Sequence, residues 1–158
     1  MNSLKIISRG HQNVLDAIKD LPEKAWSEGL VTGTWTIKDI VNHLAVYEEM
    51  QLEALQKVLN PNSPTPLLDH KASAQLAEFN RSQEDKNKTW PEILERYNSS
   101  QAKLEQTVTG IAKELMAEPD TTTWYGEPAS LEDVLAYNYG HKKHHLAQIK
   151  LFRQRNNI

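Results

Sequence analysis

The sequence predicts an all-α protein, a four-helix bundle with one long crossover connection, from three observations. Apolar residues recur at helical spacing along the chain, and few stretches alternate as strands do. Four long amphipathic segments are each bounded by a capping signal or a proline. A long connection separates the second segment from the third, which indicates a bundle with a crossover. No internal repeat suggests a different architecture.

Composition restricts the class of protein further. The 158 residues have the common size of one domain, and we expect a single domain over residues 1–158. The net charge of −3 provides no basic surface for nucleic acid or an anionic membrane. No run reaches the roughly 18 apolar residues of a membrane span, so a cytoplasmic protein is expected. The chain has no cysteine, which excludes disulfides, thiolate metal sites and a cysteine nucleophile.

The first two helices are predicted from their boundaries. The first is expected over residues 3–21, with Ser3 as its N-cap and Pro22 just beyond its end. The second is expected to begin after Thr36 and to continue to about Leu59. Its start resembles a capping box in which Asp39 replaces the usual glutamate.

The crossover follows the second helix. Three prolines between residues 60 and 66 predict a break. A short helix is then expected from Asp69, as its cap, to about Glu84. Leu76 and Phe79 are predicted to face inward.

The last two long helices have clear starting signals. Thr89 and Glu92 form a second capping box, and the apolar stripe that follows extends to Leu115. Residues 119–129 are expected to form a loop. Ser130 and Asp133 cap the fourth helix much as residues 36–39 cap the second.

Histidines on this fourth helix are candidate metal ligands. His141 and His145 are four residues apart, so both imidazoles lie on one helix face, roughly 5–6 Å apart. His144 points aside. His43 of the second helix lies at a helix–helix seam, and facing helices of a bundle supply metal ligands in this way. Three neutral imidazoles with an open position are typical of a catalytic divalent metal.

Three further polar residues fall on apolar stripes. Glu48 lies near the centre of the second helix's stripe, where a carboxylate needs a partner or a raised pKa. It is either a member of an ion pair or a catalytic or supporting group near the metal. Lys142 lies within the fourth stripe and either snorkels or pairs with Glu48. His11 is either a hydrogen-bonded core histidine or a direct contact to metal or substrate.

Several stretches resemble the DinB superfamily. Residues 35–44 (WTIKDIVNHL) resemble the start of its second helix, and residues 141–149 (HKKHHLAQI) resemble its closing helix. Residues 79–80 (FN), 90–94 (WPEIL) and 124–126 (WYG) also match the family's layout. The resemblance implies an up-down-down-up four-helix bundle that is often dimeric. It maps the family's three metal-binding histidines onto His43, His141 and His145.

The resemblance implies an activity only in outline. Characterised relatives include transferases and isomerases that use a low-molecular-weight thiol, and others hydrolyse strained electrophiles. Our first hypothesis is a metal-dependent thiol S-transferase of the detoxification type. A sulfur nucleophile would have to come from outside, because the chain has no cysteine. The alternatives are a metal-hydroxide hydrolase and a non-enzymatic, metal-binding stress protein.

Further site residues and partners are expected. Glu48, Tyr47 and Asn80 are candidate catalytic or pocket residues, although ordinary packing would also explain each of them. Zinc or nickel is the first choice of metal, with iron, manganese or copper as the others. A small-molecule substrate and a homodimer are expected. The tryptophan-containing segments at 26–35 and 124–125 shape either a pocket or a dimer contact.

Overall fold

Eight helices and four short strands make up residues 2–158, the part of the chain that this computed structural model describes. In chain order they are α1 (Ser3–Ile18), α2 (Glu23–Ser27), β1 (Leu30–Thr32), β2 (Trp35–Thr36), α3 (Ile37–Leu59), α4 (Pro66–Ser73), α5 (Leu76–Ser82), α6 (Trp90–Thr109), α7 (Lys113–Ala117), β3 (Thr122–Trp124), β4 (Glu127–Ala129) and α8 (Leu131–Asn156). The long helices α1, α3, α6 and α8 form the predicted bundle. None of the described helices is both long and apolar enough to cross a membrane.

Contacts between the long helices establish the directions of α3 and α8. α1 and α3 each pack against both α6 and α8. On the α3–α8 seam, His43 contacts His141, while Gln51, two turns further along α3, accepts a hydrogen bond from Asn138. The contacts therefore run in opposite directions, and α3 and α8 are antiparallel.

The other two helices complete the topology. Ser8 contacts Glu105 and His11 contacts Asn98, so α1 and α6 are antiparallel as well. Gly10 approaches Lys142, whereas the Ala17 carbonyl meets Arg153, so α1 and α8 are parallel. This is the predicted up-down-down-up order. It requires the long crossover, because α3 and α6 run in the same direction.

The sequence predicted the starts of the helices more accurately than their ends. The structure confirms all three capping boxes, which pair Thr36 with Asp39, Thr89 with Glu92 and Ser130 with Asp133. The prediction for α1 was slightly wrong, because Asn2 rather than Ser3 is its N-cap and the helix ends at Ile18. The third long helix ends at Thr109 with Gly110 as its C-cap, and α7 forms separately.

The crossover differs from its prediction. α4 begins at Pro66, because Glu53 of α3 accepts hydrogen bonds from the Leu67 and Leu68 amides and so caps the helix from a distance. The helix breaks after Ser73, and α5 follows. Phe79 is buried as predicted, but Leu76 is 50% exposed and does not face the core.

Short antiparallel hairpins form just before α3 and within residues 119–129, where a loop was expected. β1 pairs with β2, and β3 pairs with β4. Tyr125 and Gly126 join β3 to β4 with φ angles of 53° and 82°, a two-residue turn in which both residues have positive φ. These hairpins precede α3 and α8, the two helices that carry the histidines.

Candidate metal centre

Three imidazoles converge on the seam between α3 and α8. The Nε2 atom of His141 lies 2.8 Å from Nε2 of His43 and 3.1 Å from Nε2 of His145. One ligand atom from each residue lies within 4.8 Å of the other two, so the group could hold a metal ion. The i, i+4 spacing on α8 and the antiparallel approach of α3 bring the predicted residues together.

The donor set fits a divalent ion. Nitrogen ligands about 2.0–2.1 Å from a tetrahedral ion lie about 3.3 Å apart, which is close to the spacing of these imidazole nitrogens. Imidazole suits zinc, nickel, iron and copper, whereas magnesium and calcium prefer oxygen ligands. Three ligands also leave at least one coordination position for water or a substrate.

Burial and neighbouring charges keep the three histidines neutral. Burial and the neighbouring histidines lower the pKa of His43 to about 2 and that of His141 to about 3. Burial lowers the pKa of His145 to about 4, against the opposing hydrogen bond to Gln148. The imidazoles are therefore unprotonated near neutral pH, and their lone pairs are free to bind a metal.

Gln148 orients the ring of His145, and His144 points away from the cluster, as expected. The Oε1 atom of Gln148 lies 2.8 Å from Nδ1 of His145. Since an amide oxygen only accepts, Nδ1 carries the proton and Nε2 presents its lone pair to the cluster. His144 is exposed, and the Gln148 amide nitrogen lies 3.3 Å from its Nε2 atom.

Aromatic rings surround the histidines. The Trp35 ring centroid lies 4.7 Å from that of His43. Tyr47 lies 4.6 Å from both His43 and His141, and Tyr137 stacks on His141 at 5.4 Å. Such a shell limits the access of water to the centre and lowers the local dielectric constant.

One of the surrounding residues, Tyr137, was missed from the sequence, whereas Tyr125 belongs to the segment 124–125 that was expected to shape a pocket or a dimer contact. Tyr137 precedes His141 by one helical turn, so the i, i+4 rule that paired the histidines could have found it. Tyr125 reaches the site only because its turn folds back, and its hydroxyl lies 2.5 Å from that of Tyr137. Of the candidate residues, Tyr47 lies against His43 and His141, and it donates a hydrogen bond to Asn80 at 3.0 Å.

The third candidate, Glu48, forms a buried ion pair. Its Oε1 atom lies 2.5 Å from Nζ of Lys142, and its other oxygen accepts a hydrogen bond from Ser100. Lys142 also donates to Gln101 at 2.7 Å. Burial raises the pKa of Glu48, and the Lys142 ammonium opposes that shift. The predicted pairing of Glu48 with Lys142 is confirmed, while a catalytic role for Glu48 stays a prediction.

His11 corresponds to the first of its two interpretations, a hydrogen-bonded core histidine. Its Nε2 atom lies 3.0 Å from Oδ1 of Asn98, and its ring packs against the Tyr97 ring at a tilt of 31°, with the centroids 4.2 Å apart. It does not belong to the cluster of His43, His141 and His145.

The fold and the site together define the class of protein: a helical bundle with a three-histidine cluster that could hold a metal ion. The model of the DinB superfamily matches residues 6–149, nearly the whole chain. The protein therefore belongs to the DinB superfamily. No curated protein and no solved structure matches the chain.

Proposed function

We propose that the protein is a divalent-metal-dependent enzyme that activates a low-molecular-weight thiol for transfer to an electrophilic small molecule. The observation that carries the proposal is the convergence of three neutral imidazole nitrogens, with His43 opposite His141 and His145. Membership of the DinB superfamily supports the metal-dependent part of the proposal.

The residues around the centre suit this chemistry. When bound, a divalent ion with three imidazole ligands lowers the pKa of a water or thiol in its remaining position. Trp35, Tyr47 and Tyr137 exclude bulk water from this position. Burial raises the pKa of Tyr137 to about 12, so its hydroxyl stays protonated near neutral pH and can donate a hydrogen bond.

The source of the sulfur follows from the composition. The chain has no cysteine, so it cannot form a thiolate of its own. A thiol that takes part in the reaction must therefore be a co-substrate such as glutathione, bacillithiol or mycothiol.

Metal content tests the first part of the proposal. The protein, prepared without a histidine tag, is expected to bind about one divalent ion per chain, and His145→Ala is expected to lose it. His144→Ala is the matched control, because it removes the adjacent, exposed histidine. The absence of metal from the wild type, even after incubation with zinc or nickel, would overturn the proposal.

Activity tests the second part. We expect the metal-loaded protein to accelerate the conjugation of glutathione, bacillithiol or mycothiol to 1-chloro-2,4-dinitrobenzene or monochlorobimane. The acceleration should disappear in His145→Ala and persist in His144→Ala. Loss of the electrophile without consumption of thiol would identify a hydrolase instead. A loaded protein inactive in both assays would be a non-enzymatic metal-binding bundle.

A further inference from the structure

A cleft of about 590 Å³ is connected to the surroundings of the three histidines through Tyr125, and the chemistry described above does not use it. Its walls are strand β3 with the following turn, the end of α3, and α4. A volume of this size suits a small organic molecule. No histidine of the metal centre lines the cleft, and the two sites meet at Tyr125.

Two unpaired cations line the cleft. Lys57 and Lys71 belong to its walls, and no carboxylate of the described residues lies within 4.0 Å of either ammonium group. The ammonium of Lys71 lies 3.4 Å from the centroid of the Tyr125 ring. Burial lowers the pKa of Lys71, so its charge lacks full hydration. Asp69 is the one acidic residue of the lining, and its carboxylate accepts a hydrogen bond from Thr65 at 3.1 Å.

The remainder of the cleft is partly apolar. Val58, Leu68 and Trp124 are among the apolar residues of its lining. The Nε1 atom of Trp124 is buried and has no hydrogen-bond partner. A buried donor without a partner is uncommon and is itself a reason to look for a ligand nearby.

Tyr125 connects the cleft to the metal centre. It adopts a positive φ of 53°, which is unfavourable for a bulky side chain and is found mainly where the surroundings impose it. This conformation places its ring under the Lys71 ammonium and its hydroxyl against that of Tyr137. Tyr137 in turn stacks on His141. Tyr125 and Tyr137 together therefore link the cleft to the three histidines.

We propose that the cleft binds the carboxylate end of a small organic substrate, with Lys71 as its charge partner and Val58, Leu68 and Trp124 around its apolar part. The reactive end of the same molecule would lie at the three histidines, beyond Tyr125. This link between the two sites rests on the proposed function, whereas binding of the carboxylate in the cleft does not.

Paired ligands test the charge requirement. The probes are 4-phenylbutyrate and 4-phenylbutan-1-ol, which share an apolar part and differ in charge. Each is titrated into the ¹⁵N-labelled, metal-loaded full chain. We expect the carboxylate to shift the Trp124 indole signal and the amide signals of residues 121–126 in a saturable manner. The alcohol should bind at least about fivefold more weakly, because it lacks a charge-assisted contact.

Variants test the role of Lys71. Lys71→Met keeps the length of the side chain and should weaken phenylbutyrate binding at least about fivefold. Lys71→Gln, a second variant, should do the same, and circular dichroism checks that both are folded. Lys103→Met is the matched control, since Lys103 is an exposed lysine on α6 outside the cleft.

Three outcomes would overturn the inference: no binding of phenylbutyrate, equal binding of the alcohol, or unchanged affinity in both Lys71 variants. Repeating the titration after removal of metal separates the two proposals. Binding that persists without metal supports the cleft even if the metal-dependent reaction fails. A metal-loaded, active protein that does not bind phenylbutyrate disproves the cleft alone.

Discussion

At the scale of single residues, His11 shows how the bundle interior controls a charge. Burial and the nearby Lys142 ammonium lower its pKa to about 4, while Asn98 and Glu105 act in the opposite direction. Its Nδ1 atom lies 3.9 Å from Glu48, a carboxylate that already pairs with Lys142. The folded protein therefore holds His11 in its neutral form.

This shift predicts a loss of stability in mild acid. The folded pKa, about 4, lies below the ordinary value of 6.5, so the unfolded chain binds more protons between these values. The contribution of His11 is thus present above pH 6.5 and decreases as the pH falls towards 4. We expect a loss of roughly 1–3 kcal/mol over this window.

His11→Gln isolates this effect, because glutamine can still hydrogen-bond to Asn98 but does not titrate. Urea denaturation at several pH values gives the free energy of unfolding of both proteins. The wild type should lose more stability on acidification than His11→Gln. Parallel pH profiles of the two proteins would refute the assignment, since the other histidines titrate in both.

At the scale of the elements, polar contacts determine how α3 faces α8. Asn138 donates to Gln51 at 2.6 Å, and Lys142 pairs with Glu48 at 2.5 Å. Both contacts lie in the interior, where a shift of one helix would leave polar groups without partners. Lys142 immediately follows His141 in sequence, so the register that satisfies the ion pair also places His141 opposite its partner on α3.

Removal of one partner should therefore be costly. Lys142→Met leaves the Glu48 carboxylate buried and unpaired, and we expect a destabilisation of about 3–5 kcal/mol. The double variant Glu48→Leu/Lys142→Met should be closer to the wild type, because it removes both charges. Lys143→Met, at the exposed neighbouring position, is the control. Urea denaturation that gives equal stabilities for Lys142→Met and Lys143→Met would contradict this prediction.

At the scale of the whole molecule, the three-histidine cluster joins two helices that are distant in sequence. His43 belongs to α3 and the other two histidines belong to α8, nearly one hundred residues later, since the His43 and His141 positions differ by 98. An ion bound there would stabilise only the folded chain, in which these ligands are together. The homodimer stays a prediction for this protein.

Stability should accordingly depend on metal concentration. At a free zinc or nickel concentration about 100 times the dissociation constant, the folded state gains about 2.7 kcal/mol. We expect the thermal midpoint to rise with added metal in the wild type and in His144→Ala, and to stay constant in His145→Ala. Differential scanning fluorimetry measures this midpoint. An equal rise in His145→Ala would place the bound metal elsewhere.

Local sequence signals predicted much of the fold and two of the three histidines of the site. The capping boxes at Thr36, Thr89 and Ser130 work through hydrogen bonds between residues three positions apart, so the sequence alone locates these helix starts. The spacing of His141 and His145 likewise follows from helix geometry. The third candidate ligand, His43, was predicted from the resemblance to the DinB superfamily as well as from its place at a helix seam.

Only the tertiary structure decided the features that depend on contacts between distant segments. The start of α4 depends on Glu53 of another helix, and the outward position of Leu76 depends on how the crossover packs. The cleft beside Lys71, and Tyr125 at the metal centre, arise because the β3–β4 hairpin folds back onto α4 and α8. Periodicity describes which face of one helix is apolar, but it contains no information about which segment covers that face.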